Sequence, residues 1–267
     1  MPDILKDNKT IAFEMSGNVA TITLNRPDAA NGVDLEMGHG LMQAAIHCDE
    51  TPGIRAVILT GAGKMFCAGG DLKAFAGFGD TLPARLKELT AYLHAATSRF
   101  MRMDAPLIVA VNGTAAGAGF SLAVSGDLVL AAASANFTMA YTAAGLSPDG
   151  SSSYFLPRLI GLRRTQELML TNRRLDAAAA LDWGLVTEIV PDEQLLPAAT
   201  TLAQKLADGP TRAHGVVKRL LIDSYGNGPE TQMELEARGI AAMAGTEDGR
   251  EGIAAFLAKR APRFTGK

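Results

Sequence analysis

Residues 105–126 run for 22 positions without one charged side chain, and any fold for this chain has to accommodate them. The length is that of a membrane-spanning helix. The order of residues argues otherwise. Pro106 precedes the branched run Leu107-Ile108-Val109-Ala110-Val111, Asn112-Gly113 follows, and Gly and Ala then alternate to Gly119. That order reads as a buried strand, a loop and the start of a helix. Asp104 and Asp127 bracket the segment with no basic cluster on one side, so the charge bias of a membrane span is missing.

The flanking segments supply the partners of such a strand. Val19–Leu24 alternates like a half-buried strand, and residues 55–60, 107–111 and 127–131 read as three more. Asp34 is placed to cap a helix in which Leu35, Met42 and Ile46 fall near one face. Leu86, Leu89, Leu93, Ala96, Phe100 and Met103, spaced 3, 4, 3, 4 and 3, predict a long amphipathic helix. Strands alternating with helices predict an α/β layered fold. From about residue 151 the pattern turns helical, over 163–171, 176–181 and three stretches after Pro191. The last seventy or so residues read as an α-only appendage.

Composition excludes several functions. At 267 residues, 48% hydrophobic and 20% charged, the chain has material for a real core. A net charge of −3, from 25 basic and 28 acidic residues, offers no footprint for nucleic acid or an anionic membrane. Two cysteines, Cys48 and Cys67, are too few for a disulfide framework, and residues 1–10 lack the apolar core of a secretory signal. A cytoplasmic protein is expected. Since His, Cys and Asp nowhere cluster at ligand spacing, no metal site is expected.

Two glycine-rich runs, Met65-Phe66-Cys67-Ala68-Gly69-Gly70-Asp71 and 112–119, each follow a buried strand. Such loops present bare backbone N–H groups to an anion, although glycine also simply fits tight turns. Gly113, Gly117 and Gly119 imitate the phosphate loop of short-chain dehydrogenases. That reading fails, because no tyrosine of the chain has a lysine four residues later and no acidic residue lies about 20 positions beyond. Gly119-Phe120-Ser121-Leu122-Ala123 imitates a nucleophile elbow without a strand running into it, so Ser121 reads as a small helix residue.

Taken together the two loops resemble the crotonase (enoyl-CoA hydratase/isomerase) superfamily. Asn25-Arg26-Pro27, Ala68-Gly69-Gly70-Asp71-Leu72-Lys73, residues 110–119, 145–149, 168–172 and 183–188 all match its motifs in order. The resemblance implies an α/β crotonase fold of repeated ββα units over 1–198, with a helical C-terminal trimerisation region over 199–267. It implies an acyl-CoA substrate carrying its own coenzyme A, no separate cofactor, and a homotrimer or hexamer. By position the oxyanion donors are the N–H groups of Gly70 and Ala118, where the family usually has glycine at the second place. Arg26, Ala68, Asp71, Leu72 and Lys73 match positions around the CoA moiety. Phe256 and Lys259 sit where a neighbouring subunit's C-terminal helix closes the nucleotide pocket. The bland alternative is two surface lysines and one core phenylalanine.

The chemistry departs from the hydratase type. The two glutamates of typical hydratases map onto Ser121 and Tyr141, and neither is a carboxylate. Asp149 occupies the place of the single acid of enoyl-CoA isomerases, amid Phe137, Met139, Tyr141 and Phe155. Read from the residues alone, Pro148-Asp149-Gly150 is a turn tripeptide and Asp149 a candidate helix N-cap. Residues 153–186 also resemble 4-chlorobenzoyl-CoA dehalogenase, whose nucleophile matches Asp149 and whose general base matches His94. Leu93 and Tyr141 replace that enzyme's ring-flanking tryptophans. His94 lies about 130° from the apolar stripe of its helix at ~100° per residue, which also fits an exposed histidine. An isomerase- or hydratase-like enzyme is the first expectation, an aryl-CoA hydrolytic enzyme the second, and a catalytically silent acyl-CoA-binding homologue the third.

Overall fold

The computed structural model describes residues 5–267. Strands are numbered in chain order. β1 (Ile11–Ser16) and β2 (Val19–Leu24) form an antiparallel hairpin turned by Gly17-Asn18. Gly17 has φ 57°, a region that glycine enters without Cβ strain. β2 then starts a parallel run through β3 (Ala56–Gly61), β5 (Leu107–Val111), β7 (Leu128–Ala132) and β10 (Glu188–Val190). All five residues of β5 are buried, as helix-covered parallel strands require. Burying each of its Leu, Ile and Val side chains contributes about 1.5–3 kcal/mol.

A smaller sheet holds β4 (Met65–Cys67), β6 (Thr114–Ala116) and β8 (Asn136–Thr138) side by side in parallel, with β9 (Leu175–Asp176) antiparallel at its edge. Each large-sheet strand from β3 to β7 hands the chain to a small-sheet strand within a few residues, β3 to β4, β5 to β6 and β7 to β8. Helices follow: α2 (Leu72–Ala76) and α3 (Leu82–Arg102) after β4, α4 (Ala118–Val124) after β6, and α5 (Ser152–Thr171) after β8. The repeated ββα arrangement of a crotonase fold is therefore present three times. The glycine-rich segment 112–119, expected as a loop, contains β6.

Several boundaries differ from expectation for identifiable reasons. α1 (Leu35–Glu50) is capped by Asp34, which accepts from the Met37 N–H at 2.9 Å. Its fully buried face is Met37, Leu41, Ala44, Ala45 and Cys48, whereas Leu35, Met42 and Ile46 are half-buried. The buried face packs closely on α3, where a Cβ at Gly38 would lie 2.8 Å from Leu89 Cδ1. β3 begins at Ala56, opposite Val19 at the start of β2, while the Arg55 side chain turns to the C-terminal region, donating to Thr211 Oγ1 at 3.0 Å and to the Gly209 and Phe264 carbonyls at 2.6 and 3.1 Å. β7 begins at Leu128 because Asp127 accepts from the Leu107 N–H at 2.7 Å and pairs with buried Lys218 at 2.8 Å. α5 breaks at Gly161, where φ is 80° and ψ 158°. α6 (Ala177–Asp182) starts one residue late, with Asp176 as its cap.

After Pro191 there are four helices rather than three: α7 (Leu195–Ala207), α8 (Thr211–Asp223), α9 (Pro229–Ala244) and α10 (Glu247–Leu257). α7 packs on β2, β3, β5 and β7, burying Leu195, Ala199, Ala203 and Ala207. The boundary expected between 198 and 199 thus falls inside a helix of the core, and the helices peripheral to the sheets begin with α8. Among the described residues no helix is long and apolar enough to cross a membrane.

The small sheet depends on close approach at Gly119, where a Cβ would lie 2.3 Å from the Cys67 carbonyl oxygen. Gly119→Ala should push α4 off β4 and lower unfolding stability by about 1–3 kcal/mol in urea titration. An unchanged midpoint would contradict this packing.

Candidate active site

The ends of β4, β6 and β8 meet along one side of a cavity of about 310 Å³. Ala68, Gly69 and Gly70 come from the end of β4, Gly117 and Ala118 from the end of β6, and Ala140 and Tyr141 from the end of β8. Opposite stand Leu72 and Phe75 of α2 and Leu86, Leu89 and Leu93 of α3. Leu86 and Leu89, expected only as part of the amphipathic stripe, form this apolar wall together with Leu93, which the resemblance matches to a ring-flanking position.

The first loop is held by the segment before α1. Val33 donates to the Gly69 carbonyl at 2.7 Å and accepts from the Asp71 N–H at 3.0 Å, a single parallel bridge. In such a bridge the intervening residue points its own N–H the other way. Gly70 is that residue. Asn31, fully buried and overlooked in the sequence, fastens the same region. Its amide nitrogen donates to the Ala62 and Met65 carbonyls at 2.9 and 2.8 Å, and its oxygen accepts from the Arg26 N–H at 2.9 Å.

Ala118 is the first residue of α4, behind Gly117 at φ 49°, so its N–H has no acceptor within the helix. Neither the Gly70 nor the Ala118 N–H meets an acceptor among the described residues. The two loops touch, for a Cβ at Gly69 would lie 3.3 Å from Gly117 Cα and 3.4 Å from the Ala118 nitrogen. Gly70 and Ala118, each with an N–H that no acceptor among the described residues takes, both line the cavity.

Asp149 lines this cavity. It is not the cap of α5; that place belongs to Ser151, and only the Asp149 backbone carbonyl accepts from Ser152. The Asp149 carboxylate instead accepts at Oδ1 from the Tyr141 hydroxyl at 2.5 Å, and Tyr141 in turn lies 3.0 Å from the Ser121 hydroxyl. Burial pushes the Tyr141 phenol far above its usual range, and the adjacent Asp149 charge adds to this. It therefore stays a neutral donor. His94 is an exposed residue, yet its Nε2 accepts from the Gly150 N–H at 3.2 Å. Phe137 and Met139 are not in the wall; both are buried in the core, Phe137 against Phe120 at 5.4 Å.

The remaining expected residues divide. Ala68 and Leu72 line the cavity, and Lys73 is exposed on α2. Arg26 and Asp71 are engaged with each other at 2.9 Å, Arg26 also with Asp34 at 3.1 Å and with the Gly32 carbonyl. Asp71 caps α2 as well, accepting from the Ala74 N–H at 3.0 Å. This pair braces the first loop. Phe256, 83% exposed on α10, and Lys259 just beyond it are not part of this chain's cavity wall. Lys87 and Thr90 of α3 do line it and went unread. Burial pushes the Cys67 thiol up to about 12, so it is no nucleophile despite adjoining the first loop.

The comparisons decide the family. Residues 14–267 match the enoyl-CoA hydratase/isomerase family. The chain belongs to that family. It is 41% identical over 260 residues to the 1,2-epoxyphenylacetyl-CoA isomerase of Escherichia coli K12, across 96% of this chain and 98% of the relative. It is 30% identical over 250 residues to 4-chlorobenzoyl coenzyme A dehalogenase-2 of an Arthrobacter species, across 93% and 91%. The crystal structure of an enoyl-CoA hydratase from Polaromonas sp. JS666 superposes with a TM-score of 0.91 at 33% identity, covering 96% of this chain and 99% of that one.

Asp71 offers a pH test of the bracing. Burial raises its carboxyl pKa, but the Ala74 N–H and Arg26 outweigh burial and hold it below the usual range. A depressed native pKa gives stability that is present above the unfolded value of about 4 and is lost as pH falls through the native one. Urea midpoints should therefore place Asp71→Asn below wild type at pH 7, with the gap shrinking below about pH 4. A pH-independent gap would contradict the ion pair.

Proposed function

We propose that this family member is an acyl-CoA enzyme that isomerises a double bond, with Asp149 as the single acid and base. The carrying observation is one carboxylate on the wall of a cavity that also receives the free N–H groups of Gly70 and Ala118. In a 3-enoyl thioester Asp149 removes a proton from C2, and the electron pair moves onto the carbonyl oxygen as a dienolate. The two N–H groups hold that oxygen, each contributing about 3 kcal/mol of transition-state stabilisation. The same proton returns at C4, leaving the double bond between C2 and C3. The apolar wall of Leu72, Phe75, Leu86 and Leu93 suits an uncharged acyl group.

Two observations support this reading over its neighbours. Hydration needs a second acid or base to handle water. Here Ser121 and Tyr141 stand in that region, and the Tyr141 proton is committed to Asp149. Hydrolysis of an aryl ester needs a basic His94. A neutral imidazole whose Nε2 accepts from Gly150 carries its proton on Nδ1 and has no lone pair left for water. The 41% identity to 1,2-epoxyphenylacetyl-CoA isomerase supports isomerase chemistry on an acyl-CoA, though of an epoxide and not of a double bond.

The reading takes coenzyme A as part of the substrate and assigns Phe256 and Lys259 to the nucleotide pocket of a neighbouring copy. It takes α9 and α10 as a trimer interface, supported by exposed Met233, Ile240, Phe256 and Leu257. Sedimentation equilibrium should give three or six chain masses, and a monomer would contradict the assignment.

The direct test follows ultraviolet absorbance of the conjugated thioester after 3-enoyl-CoA is added. Wild type should give a rising signal that Asp149→Asn abolishes; a flat wild-type trace would sink the proposal. Ala118→Pro deletes one oxyanion donor at the first helical position, where proline is tolerated. It should lower kcat by about 10²–10³, and an unchanged kcat would remove Ala118 from the hole.

A further inference from the structure

The cavity wall contains a hydrogen-bonded series that neither the two N–H donors nor the single carboxylate requires. Ser121 is fully buried on α4, and its hydroxyl lies 3.0 Å from the Tyr141 oxygen. Its other neighbour, the Gly117 carbonyl, is at 3.4 Å. Tyr141 donates its one proton to Asp149 Oδ1 at 2.5 Å. The Tyr141 oxygen is then free to accept from Ser121, and the series runs in one direction, Ser121 to Tyr141 to Asp149. Donation into a hydroxyl makes it a stronger donor in turn. Gly150, at φ +60°, seats the Asp149 turn against Ser121, where an added Cβ would lie 2.8 Å from Ser121 Cβ.

We infer that Tyr141, polarised by Ser121, is a positioning residue that occupies Asp149 Oδ1 and leaves Oδ2 to carry the proton. This rests on the isomerase reading above. Its consequence is directional. Once Oδ2 takes the proton from C2, the hydrogen bond at Oδ1 weakens, because a neutral carboxyl is a poorer acceptor than a carboxylate. The protonated state is disfavoured, and release of the proton to C4 is eased. Proton removal and return both pass through one oxygen, on one face of the acyl chain. Atoms balance: one C–H bond breaks at C2, one forms at C4, and Asp149 ends as it began.

The charged and titratable groups facing Asp149 are Tyr141 itself, His94 on α3 through the Gly150 N–H, and Lys87 of α3 in the same wall; α4 brings only the Ser121 hydroxyl. Removing a donor to the ionised form raises a carboxyl pKa. In Tyr141→Phe the acid limb of kcat/KM against pH, measured with 3-enoyl-CoA, should move up by about one unit, with KM near its wild-type value at high pH. Ser121→Ala should move the limb the same way by less, and decides alone if Tyr141→Phe does not fold. Asp149→Asn is run in parallel. Activity retained in Asp149→Asn would overturn both the site reading and this inference. An inactive Asp149→Asn with the limb unmoved in the hydroxyl variants would overturn the positioning role and leave the site reading standing.

Discussion

Everything at the site depends on the parallel alignment of three three-residue strands. Because β4, β6 and β8 lie side by side and run the same way, their C-terminal ends open onto the same place. β4 delivers Gly70, β6 delivers Ala118 and β8 delivers Tyr141. Strands this short have little stability of their own, so the geometry is imposed by the large sheet that feeds each of them. Added Cβ atoms at Gly113 and Gly119 would lie 2.1 and 2.3 Å from backbone oxygens, and Gly69 and Gly117 have positive φ, so the loops need glycine for space at some positions and for backbone conformation at others.

Much of this was legible in the chain. The 107–111 run is a wholly buried strand, the 3-4-3-4-3 stripe of α3 holds, and Asp34 caps where a cap was expected. The family and fold followed from motifs. What the chain hid were features fixed by tertiary contact. β6 looks like loop because Thr114-Ala115-Ala116 has no pattern until β4 and β8 flank it. Arg26 and Asp71 sit 45 residues apart, and nothing local says that they pair. Asn31 could not be told from an ordinary turn asparagine. His94 looked exposed by helical phase, and only the fold brings Gly150 to its ring. Asp149 reads in the sequence as turn, cap or acid; the fold gives the cap position to Ser151 and turns the Asp149 carboxylate to the Tyr141 hydroxyl.

The electrostatic plan is economical. In the proposed reaction, two uncharged N–H groups face where negative charge develops, and one carboxylate faces where a proton moves. Ser121 and Tyr141 fill the space in which hydratases of this family keep carboxylates, and they shape the remaining one. On the proposed reading, such a site favours moving a proton within the substrate over adding water to it.

Isotope tracing tests that account most directly. 3-Enoyl-CoA is incubated with the protein in water enriched in ¹⁸O, and the products are analysed by mass spectrometry. The account predicts a conjugated 2-enoyl-CoA of unchanged composition with no ¹⁸O in the acyl chain. A 3-hydroxyacyl-CoA carrying ¹⁸O as the enzyme's first product would contradict it.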